Sequence, residues 1–128
     1  MSIEIGCKGE AAAMVDRETT AMAAGSGSLL VYGTPYMIAL MEKAACEALT
    51  PYLDESQSSV GTKLEISHDS ATPVGMEVRA EAEVTAVEGR RIAFRVTAYD
   101  EKGLIGQGTH ERCIIRTESF LQRTYEKL

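Results

Sequence analysis

Alternation of apolar and polar residues dominates the second half of the chain. In MEVRAEAEVTAV, residues 76–87, every second residue is apolar, which predicts a half-buried strand. IAFRVTAYD, residues 92–100, alternates in the same way, and the EGRR segment between them is typical of a turn. A further strand is predicted through LIGQGTHERCIIR, where Gly103, Gly106 and Gly108 would allow a bend or a bulge. Together these segments predict an antiparallel meander.

The segment SVGTKLEISH, residues 59–68, predicts another strand ahead of the meander. Its alternation places one set of side chains on a common apolar face, namely Val60, Thr62, Leu64, Ile66 and His68. The histidine therefore shares its predicted face with aliphatic residues. Near the beginning of the chain, CKGEAAAMVD predicts a first strand, although alanine is a weak strand former. TESFLQRTYEKL, at the other end, predicts a short helix, and AAGSGS at residues 23–28 predicts a loop.

One long helix is predicted over GTPYMIALMEKAACEAL, residues 33–49. The glycine at its start interrupts the preceding chain, Thr34 can cap the helix, and Pro35 suits its first turn. Thr50 ends it, since a residue before proline avoids the helical region. The resulting order is a strand, a long helix and four strands. This order predicts an α+β fold in a single domain, residues 1–128, in which an antiparallel sheet covers the helix.

The predicted helix carries Glu42 among apolar neighbours, namely Ile38, Ala39, Ala45, Cys46 and Leu49. Lys43 and Glu47 lie on a different edge, where they can reach water as an i, i+4 pair. A helix that is apolar on nearly every side is buried, and an unpaired carboxylate there costs several kcal/mol. Glu42 therefore lies at a second exposed edge, makes a structural hydrogen bond, or opens into a cleft with a polar partner. His68 is the candidate for that partner.

Charge and composition exclude several classes of function. With 13 basic and 19 acidic residues the net charge is −6, the wrong sign for a protein that grips nucleic acid or lies on anionic membranes. The three cysteines are widely separated, which argues against a disulfide framework and favours the cytoplasm. No apolar stretch is long enough to span a membrane, and no secretory leader is recognisable. Neither His68-Asp69 nor His110-Glu111 has the spacing of an ordinary metal site, so no metal is expected.

Thr34, Glu42 and His68 together supply a hydroxyl, a carboxylate and an imidazole near the start of the helix. The free N–H groups and the positive end of the dipole at a helix start favour a developing oxyanion. Such a set suits acyl transfer or hydrolysis. Each residue also has a structural interpretation, since threonine can cap a helix and a histidine on an apolar face is often a hydrogen-bonded core residue.

Three segments, GTPYMIALMEKAACEAL, VGTKLEISHDSATPVG and GTHERCII, occur in an order that resembles the hot-dog-fold thioesterases, in particular the branch that contains fluoroacetyl-CoA thioesterase. The resemblance implies the hot-dog fold, an antiparallel β-sheet wrapped around one long central helix. It implies an acyl-CoA thioesterase that hydrolyses a small, short or branched acyl-CoA thioester to the free acid and coenzyme A, with no further cofactor. It also implies a homodimer, with a tetramer left open, whose sites lie at the subunit interface.

By this resemblance Thr34, Glu42 and His68 form the catalytic set. Gly61 would offer a backbone contact to the thioester, or it only relieves crowding in a strand. Arg112 would lie near the site, or it only makes a surface ion pair. Two mechanisms remain open: Glu42 or Thr34 attacks the thioester carbonyl, or Glu42 or His68 activates water.

In the fluoroacetate-specialised members of this branch an aromatic residue precedes the helix and shields the small acyl group. The corresponding stretch here, GSGSLLVYG, has Ser28 and no aromatic residue before Tyr32, so a different short or branched acyl group is expected. Two other functions remain open. One is a non-catalytic acyl-CoA-binding or sequestering module on the same fold. The other, a hydratase or dehydratase, ranks lower because such enzymes pair Asp and His within one short segment.

Overall fold

The computed structural model describes residues 2–128, which form five strands and three α-helices. The strands are β1 (Lys8–Met14), β2 (Gln57–His68), β3 (Glu77–Glu88), β4 (Arg91–Asp100) and β5 (Gly103–Arg116). The helices are α1 (Ala21–Ala24), α2 (Thr34–Leu49) and α3 (Thr117–Tyr125), with 3₁₀ turns at Arg17–Thr19 and Thr50–Tyr52. The predicted order of a strand, a long helix, four strands and a closing helix is confirmed. The helical turn α1 differs from the loop predicted over residues 23–28.

All five strands form one antiparallel sheet in the order β1-β3-β4-β5-β2. The meander of β3, β4 and β5 is confirmed, and Gly89 makes the turn between β3 and β4 at a φ of 61°. β1 and β2 are the edge strands, so one side of β2 has no strand partner among residues 2–128. α2 lies across the inner face of the sheet, chiefly on β1 and β3. The open side of the molecule therefore lies between α2 and β2.

The core lies between α2 and the inner face of the sheet. Alternate residues of β3 and β4 are buried there as predicted: Val78, Ala80, Ala82, Val84, Ile92, Phe94, Val96 and Ala98. From the helix, Met37, Met41 and Ala44 are fully buried in the same cluster. Each large side chain stabilises the fold by about 1.5–3 kcal/mol when it leaves water. The helix approaches β1 closely, because a Cβ on Gly9 would lie 2.5 Å from the backbone nitrogen of Ala48.

A bulge divides β2 into two halves. The register against β5 shifts between Gly61 and Lys63, so Thr62 is an extra residue. Before the bulge Gly61 faces the inside of the sheet and Val60 the outside, whereas the inward residues after it are Leu64, Ile66 and His68. The prediction that Val60 shares a face with His68 is therefore wrong. A similar shift in β3 moves Ala86 off the face predicted for it.

A bulge in β5 supports the loop that follows β2. The register against β4 shifts so that Ile105 is the extra residue, in the glycine-containing stretch where a bulge is predicted. The carbonyl of Ile105 accepts hydrogen bonds from the backbone N–H groups of Asp69, at 2.7 Å, and Ser70, at 3.2 Å. The end of β2, and with it His68, is thus held against β5.

The side of α2 next to β2 is only partly covered. Four residues spaced one turn apart line it, and we call them the open stripe: Thr34, Ile38, Glu42 and Cys46. The threonine is exposed and the other three are half-buried, so the prediction of a helix buried on nearly every side is wrong for this stripe. Lys43 and Glu47 are exposed as predicted. No helix within residues 2–128 has the length and hydropathy to cross a membrane.

Candidate active site

The hydroxyl of Thr34 lies at the start of α2, 2.7 Å from Nδ1 of His68. Gly33 is the N-cap residue and no side chain caps the helix, so the prediction that Thr34 caps it is wrong. A Cβ at residue 33 would lie 3.0 Å from the carbonyl group of Thr20, which explains glycine at this close approach. Because the Thr34 hydroxyl is not used as a cap, it is available to the imidazole.

His68 is the last residue of β2 and is half-buried. Burial lowers the pKa of His68 below its usual value of 6.5, against the opposing effects of a backbone hydrogen bond at Ser70 and the charge of Asp69. Its Nε2 is buried and has no hydrogen-bond partner within residues 2–128. The ring is therefore neutral near pH 7, and a neutral imidazole at this distance can accept the proton of a hydroxyl.

The carboxylate of Glu42 lies two turns further along the open stripe and pairs with Arg112 of β5. Nη1 of Arg112 donates to Oε2 of Glu42 at 3.0 Å. The guanidinium is buried, and it is fixed from the other side by Ser59, whose Oγ accepts from Nε at 2.9 Å and whose carbonyl accepts from Nη2 at 3.1 Å. Within one chain, therefore, the hydrogen-bond partner of Glu42 is Arg112 and not His68 as predicted. The alternative of a surface ion pair for Arg112 is wrong.

Gly61 of β2 faces this ion pair across the inner side of the sheet. A Cβ on Gly61 would lie 2.6 Å from Oε2 of Glu42 and 3.4 Å from Nη1 of Arg112. A methyl group would therefore overlap the carboxylate. Glycine at this position makes room for Glu42 to approach the backbone of β2, in agreement with the interpretation that Gly61 relieves crowding.

His110, for which the sequence pattern predicted no role, completes the group around Glu42. Its ring is fully buried, with Nδ1 2.8 Å from the carbonyl oxygen of Lys63 and Nε2 3.0 Å from Nη1 of Arg112. Burial lowers the pKa of His110, and the charge of Arg112 lowers it further, against a backbone hydrogen bond at Lys63 and the charges of Glu42 and Glu111. The sequence could have indicated this role, because His110 and Arg112 are two residues apart on the predicted strand and therefore lie on the same face.

The predicted catalytic residues thus fall into two groups on the open side of the chain. Thr34 and His68 form one, and Glu42 with Arg112 and His110 forms the other. Thr34 and Glu42 are eight residues apart on α2, which corresponds to about 12 Å along the helix axis. No hydrogen bond joins the two groups within residues 2–128. In the same part of the chain, no cluster of three or more His, Cys, Asp or Glu side chains is arranged to hold a metal ion.

Comparison with known proteins gives consistent matches across the chain. The profile of the fluoroacetyl-CoA-specific thioesterase family matches residues 15–118. A fluoroacetyl-CoA thioesterase of Streptantibioticus cattleyicolor is 43% identical over 97 residues, which is 76% of this chain and 70% of that protein. A solved structure of a fluoroacetyl-CoA thioesterase has a TM-score of 0.94 at 34% identity and covers 100% of this chain and 99% of its own. A hot-dog-like protein of Thermanaerovibrio acidaminovorans has a TM-score of 0.87 at 24% identity, with 98% and 93% covered, and shows the same fold.

Proposed function

Because the chain belongs to the family of fluoroacetyl-CoA-specific thioesterases, with the hot-dog fold, we propose that it hydrolyses a small acyl-CoA thioester with Thr34, Glu42 and His68. The 2.7 Å contact between the Thr34 hydroxyl and Nδ1 of His68 is the observation that carries the proposal. It pairs a nucleophile with a neutral base at the start of a helix, where backbone N–H groups favour a developing oxyanion. Coenzyme A enters as part of the substrate, and no other cofactor is proposed.

In the first route Thr34 is the nucleophile. His68 accepts the hydroxyl proton as Oγ1 attacks the thioester carbonyl, and the C–S bond breaks when the tetrahedral intermediate collapses. The leaving thiolate takes the proton from His68, which is a modest requirement because a free thiol has a pKa of about 8.5. Water activated by His68 or Glu42 then hydrolyses the threonine ester to the free acid.

In the second route water attacks the thioester directly. Oε2 of Glu42 is held by Arg112, and Oε1 makes no hydrogen bond within residues 2–128, so Oε1 is the oxygen that can take a proton from water. The hydroxide adds to the carbonyl, the C–S bond breaks as the tetrahedral intermediate collapses, and the leaving thiolate takes the proton from Glu42. If Oε1 instead attacks the carbonyl itself, the C–S bond breaks in the same way, the thiolate takes a proton from water, and the resulting anhydride is hydrolysed to the free acid and the Glu42 carboxylate. In both routes the oxyanion is stabilised by the first N–H groups of α2 and by a backbone contact from Gly61. Trapping of an acyl group on Thr34, detected by mass spectrometry after rapid acid quenching, would identify the first route.

We further propose a homodimer in which each site combines residues of two subunits. The open stripe of α2 and the unpaired edge of β2 lie side by side, and Leu64 on β2 remains 38% exposed. A second copy related by a two-fold axis would cover both surfaces and bring its own Glu42 towards Thr34 and His68, across the distance of about 12 Å that separates these residues in one chain. The three free cysteines support a reducing compartment, so we propose the cytoplasm as its location.

The proposed activity is tested by thiol release from a panel of acyl-CoA thioesters that includes acetyl-CoA, fluoroacetyl-CoA and short branched acyl groups. We expect turnover by the native protein and none by Glu42→Gln, which should keep its circular dichroism but melt at a lower temperature, because the buried guanidinium of Arg112 loses its charged partner. Unchanged kinetics in Glu42→Gln would remove Glu42 from the mechanism. Tight binding of the thioesters without thiol release would instead indicate a non-catalytic acyl-CoA-binding module. A preference for acyl groups larger than fluoroacetyl would support the expectation based on Ser28.

Composite sites are tested by mixing two inactive variants, Thr34→Ala and Glu42→Gln, through joint refolding. Half of the dimers should then be mixed, and each mixed dimer has one site with both residues intact, which restores roughly a quarter of native activity. A mixture that stays inactive would show that each site uses residues of one chain only. Each variant refolded alone is the control.

A further inference from the structure

The ring of His110 lies at the centre of a chain of hydrogen bonds that ends at Glu42. It is stacked near Phe94 of β4, with ring centroids 6.0 Å apart and planes inclined by 27°, and it is inaccessible to solvent. It cannot touch a substrate from this position. Within residues 2–128 the ring nitrogens make hydrogen bonds to the carbonyl of Lys63 and the guanidinium of Arg112, and Oε2 of Glu42 lies 3.9 Å from Nε2.

The two neighbours determine which ring nitrogen carries hydrogen. A carbonyl oxygen only accepts, so Nδ1, 2.8 Å from the carbonyl of Lys63, must donate. A guanidinium only donates, so Nε2, 3.0 Å from Nη1 of Arg112, must accept. Both bonds exist together only in the neutral tautomer with hydrogen on Nδ1. An imidazolium would place an N–H group against an N–H group of Arg112.

The N–H groups of Arg112 donate hydrogen bonds to three residues. Nη1 carries two hydrogens, of which one reaches Oε2 of Glu42 and the other Nε2 of His110, each at 3.0 Å. Nε and Nη2 bond to Ser59. Because the guanidinium is planar, the acceptors on His110 and Ser59 fix its plane and thereby the direction of the N–H bond that holds Glu42.

We propose that His110 is a positioning residue for Glu42, acting through Arg112 as a neutral acceptor. This proposal rests on the proposed role of Glu42 in thioester hydrolysis. Loss of the acceptor would leave Ser59 alone to fix the guanidinium, and the carboxylate would be less closely oriented at the thioester. The charged groups around the ring are Arg112 on the same strand, Glu42 on α2 and the neighbouring Glu111, and of these Arg112 donates to Nε2.

A matched pair of substitutions separates positioning from folding. In His110→Gln the amide oxygen can take the place of Nε2 and accept from Arg112, whereas in His110→Asn the amide nitrogen can take the place of Nδ1 and no acceptor reaches Arg112. We expect His110→Asn to lower kcat about tenfold, as loss of one hydrogen bond does, with KM little changed. His110→Gln should recover most of that loss. Val78→Ala, a core change at the start of β3, where the facing residue of β4 is Asp100 and not the Phe94 that packs on His110, controls for loss of stability alone.

Equal kcat in both His110 variants, or losses that follow melting temperature as in Val78→Ala, would overturn the proposal. A second measurement needs no variant: ¹H–¹⁵N spectra of the imidazole groups should show one neutral ring with hydrogen on Nδ1 at pH 7. Spectra with no ring that carries hydrogen on Nδ1 alone would equally overturn it, since His68, whose Nδ1 accepts from Thr34, is expected to carry its hydrogen on Nε2. Native protein that cleaves no thioester would refute the proposed function instead, and the spectra would still decide the state of His110.

Discussion

Gly61→Ala should damage the site by displacing one carboxylate oxygen. The new Cβ would lie 2.6 Å from Oε2 of Glu42, and ordinary contact begins at 3.4 Å, so the oxygen must retreat by about 0.8 Å. Its hydrogen bond to Nη1 of Arg112 is 3.0 Å long, and a retreat of this size away from the guanidinium takes it past the limit of a hydrogen bond. The substitution therefore either breaks the ion pair or forces β2 away from the helix.

Overpacking of this kind costs about 1–3 kcal/mol in unfolding free energy. For a chain of this length that corresponds to roughly 3–5 °C in melting temperature for each kcal/mol. Since a misplacement of about 1 Å at a catalytic group costs around 100-fold in rate, kcat should fall by about ten- to 100-fold. Calorimetry measures the loss of stability, and a thiol-release assay measures the fall in kcat.

The refuting result comes from a double-mutant cycle between Gly61→Ala and Glu42→Ala. In the Glu42→Ala background the carboxylate is absent, and so is the main clash of the new methyl group. Gly61→Ala should therefore lower the unfolding free energy there by at least about 1 kcal/mol less than it does in the native background. An equal loss of stability in both backgrounds would refute the reasoning. Gly27→Ala is the matched stability control, because its Cβ would meet only Ala21 Cβ at an ordinary 3.4 Å and should leave stability unchanged or slightly higher.

Three further predictions follow from Thr34 and His68. Thr34→Val should abolish thiol release while melting temperature changes little, because the side chain is exposed, and Thr34→Ser should retain activity; a fully active Thr34→Val would exclude the hydroxyl. The acid limb of kcat/KM against pH should have its midpoint below 6.5, since burial lowers the pKa of His68, and a midpoint above 6.5 would contradict its role as base. Because folding lowers the pKa values of both histidines, the unfolded chain binds more protons than the folded one below about pH 6.5. The melting temperature should therefore fall as pH falls through this range, and it should fall less steeply in His68→Gln. A melting temperature that stays constant between pH 7 and 5.5 would contradict the lowered pKa values.

Periodicity predicted the elements well where one face of each element is buried. The alternation in β3 and β4 follows burial of aliphatic side chains against α2, which is a local consequence of the sequence. Proline and glycine marked the start of α2 within one residue, although the cap is Gly33 and not Thr34. The bulge at Thr62 was missed although Gly61 beside it is the residue type that marks an irregular strand, and the bulge in β3 was missed because no glycine stands near it.

The hydrogen-bond partners of the site residues depend on which strands are neighbours in the sheet. The hydrophobic pattern along the sequence does not determine this order. Glu42 needed a partner, and the sequence offered His68 on the next strand along the chain. The sheet order instead places β5 beside β2, which brings Arg112 to the carboxylate. His110 was overlooked for the same reason, since its partners come from Lys63 on β2 and from its own strand.

The extra residue at Thr62 has a consequence for how this chain can vary over evolutionary time. One half of β2 gives space to Glu42 at Gly61, and the other half carries His68, with opposite phases of alternation. Deletion or insertion of a single residue in either half would turn that half over and remove one of the two groups from the inner face. Lineages descended from this protein can therefore exchange residues along β2 but cannot alter its length, whereas exposed loops such as residues 25–30 tolerate added residues far better.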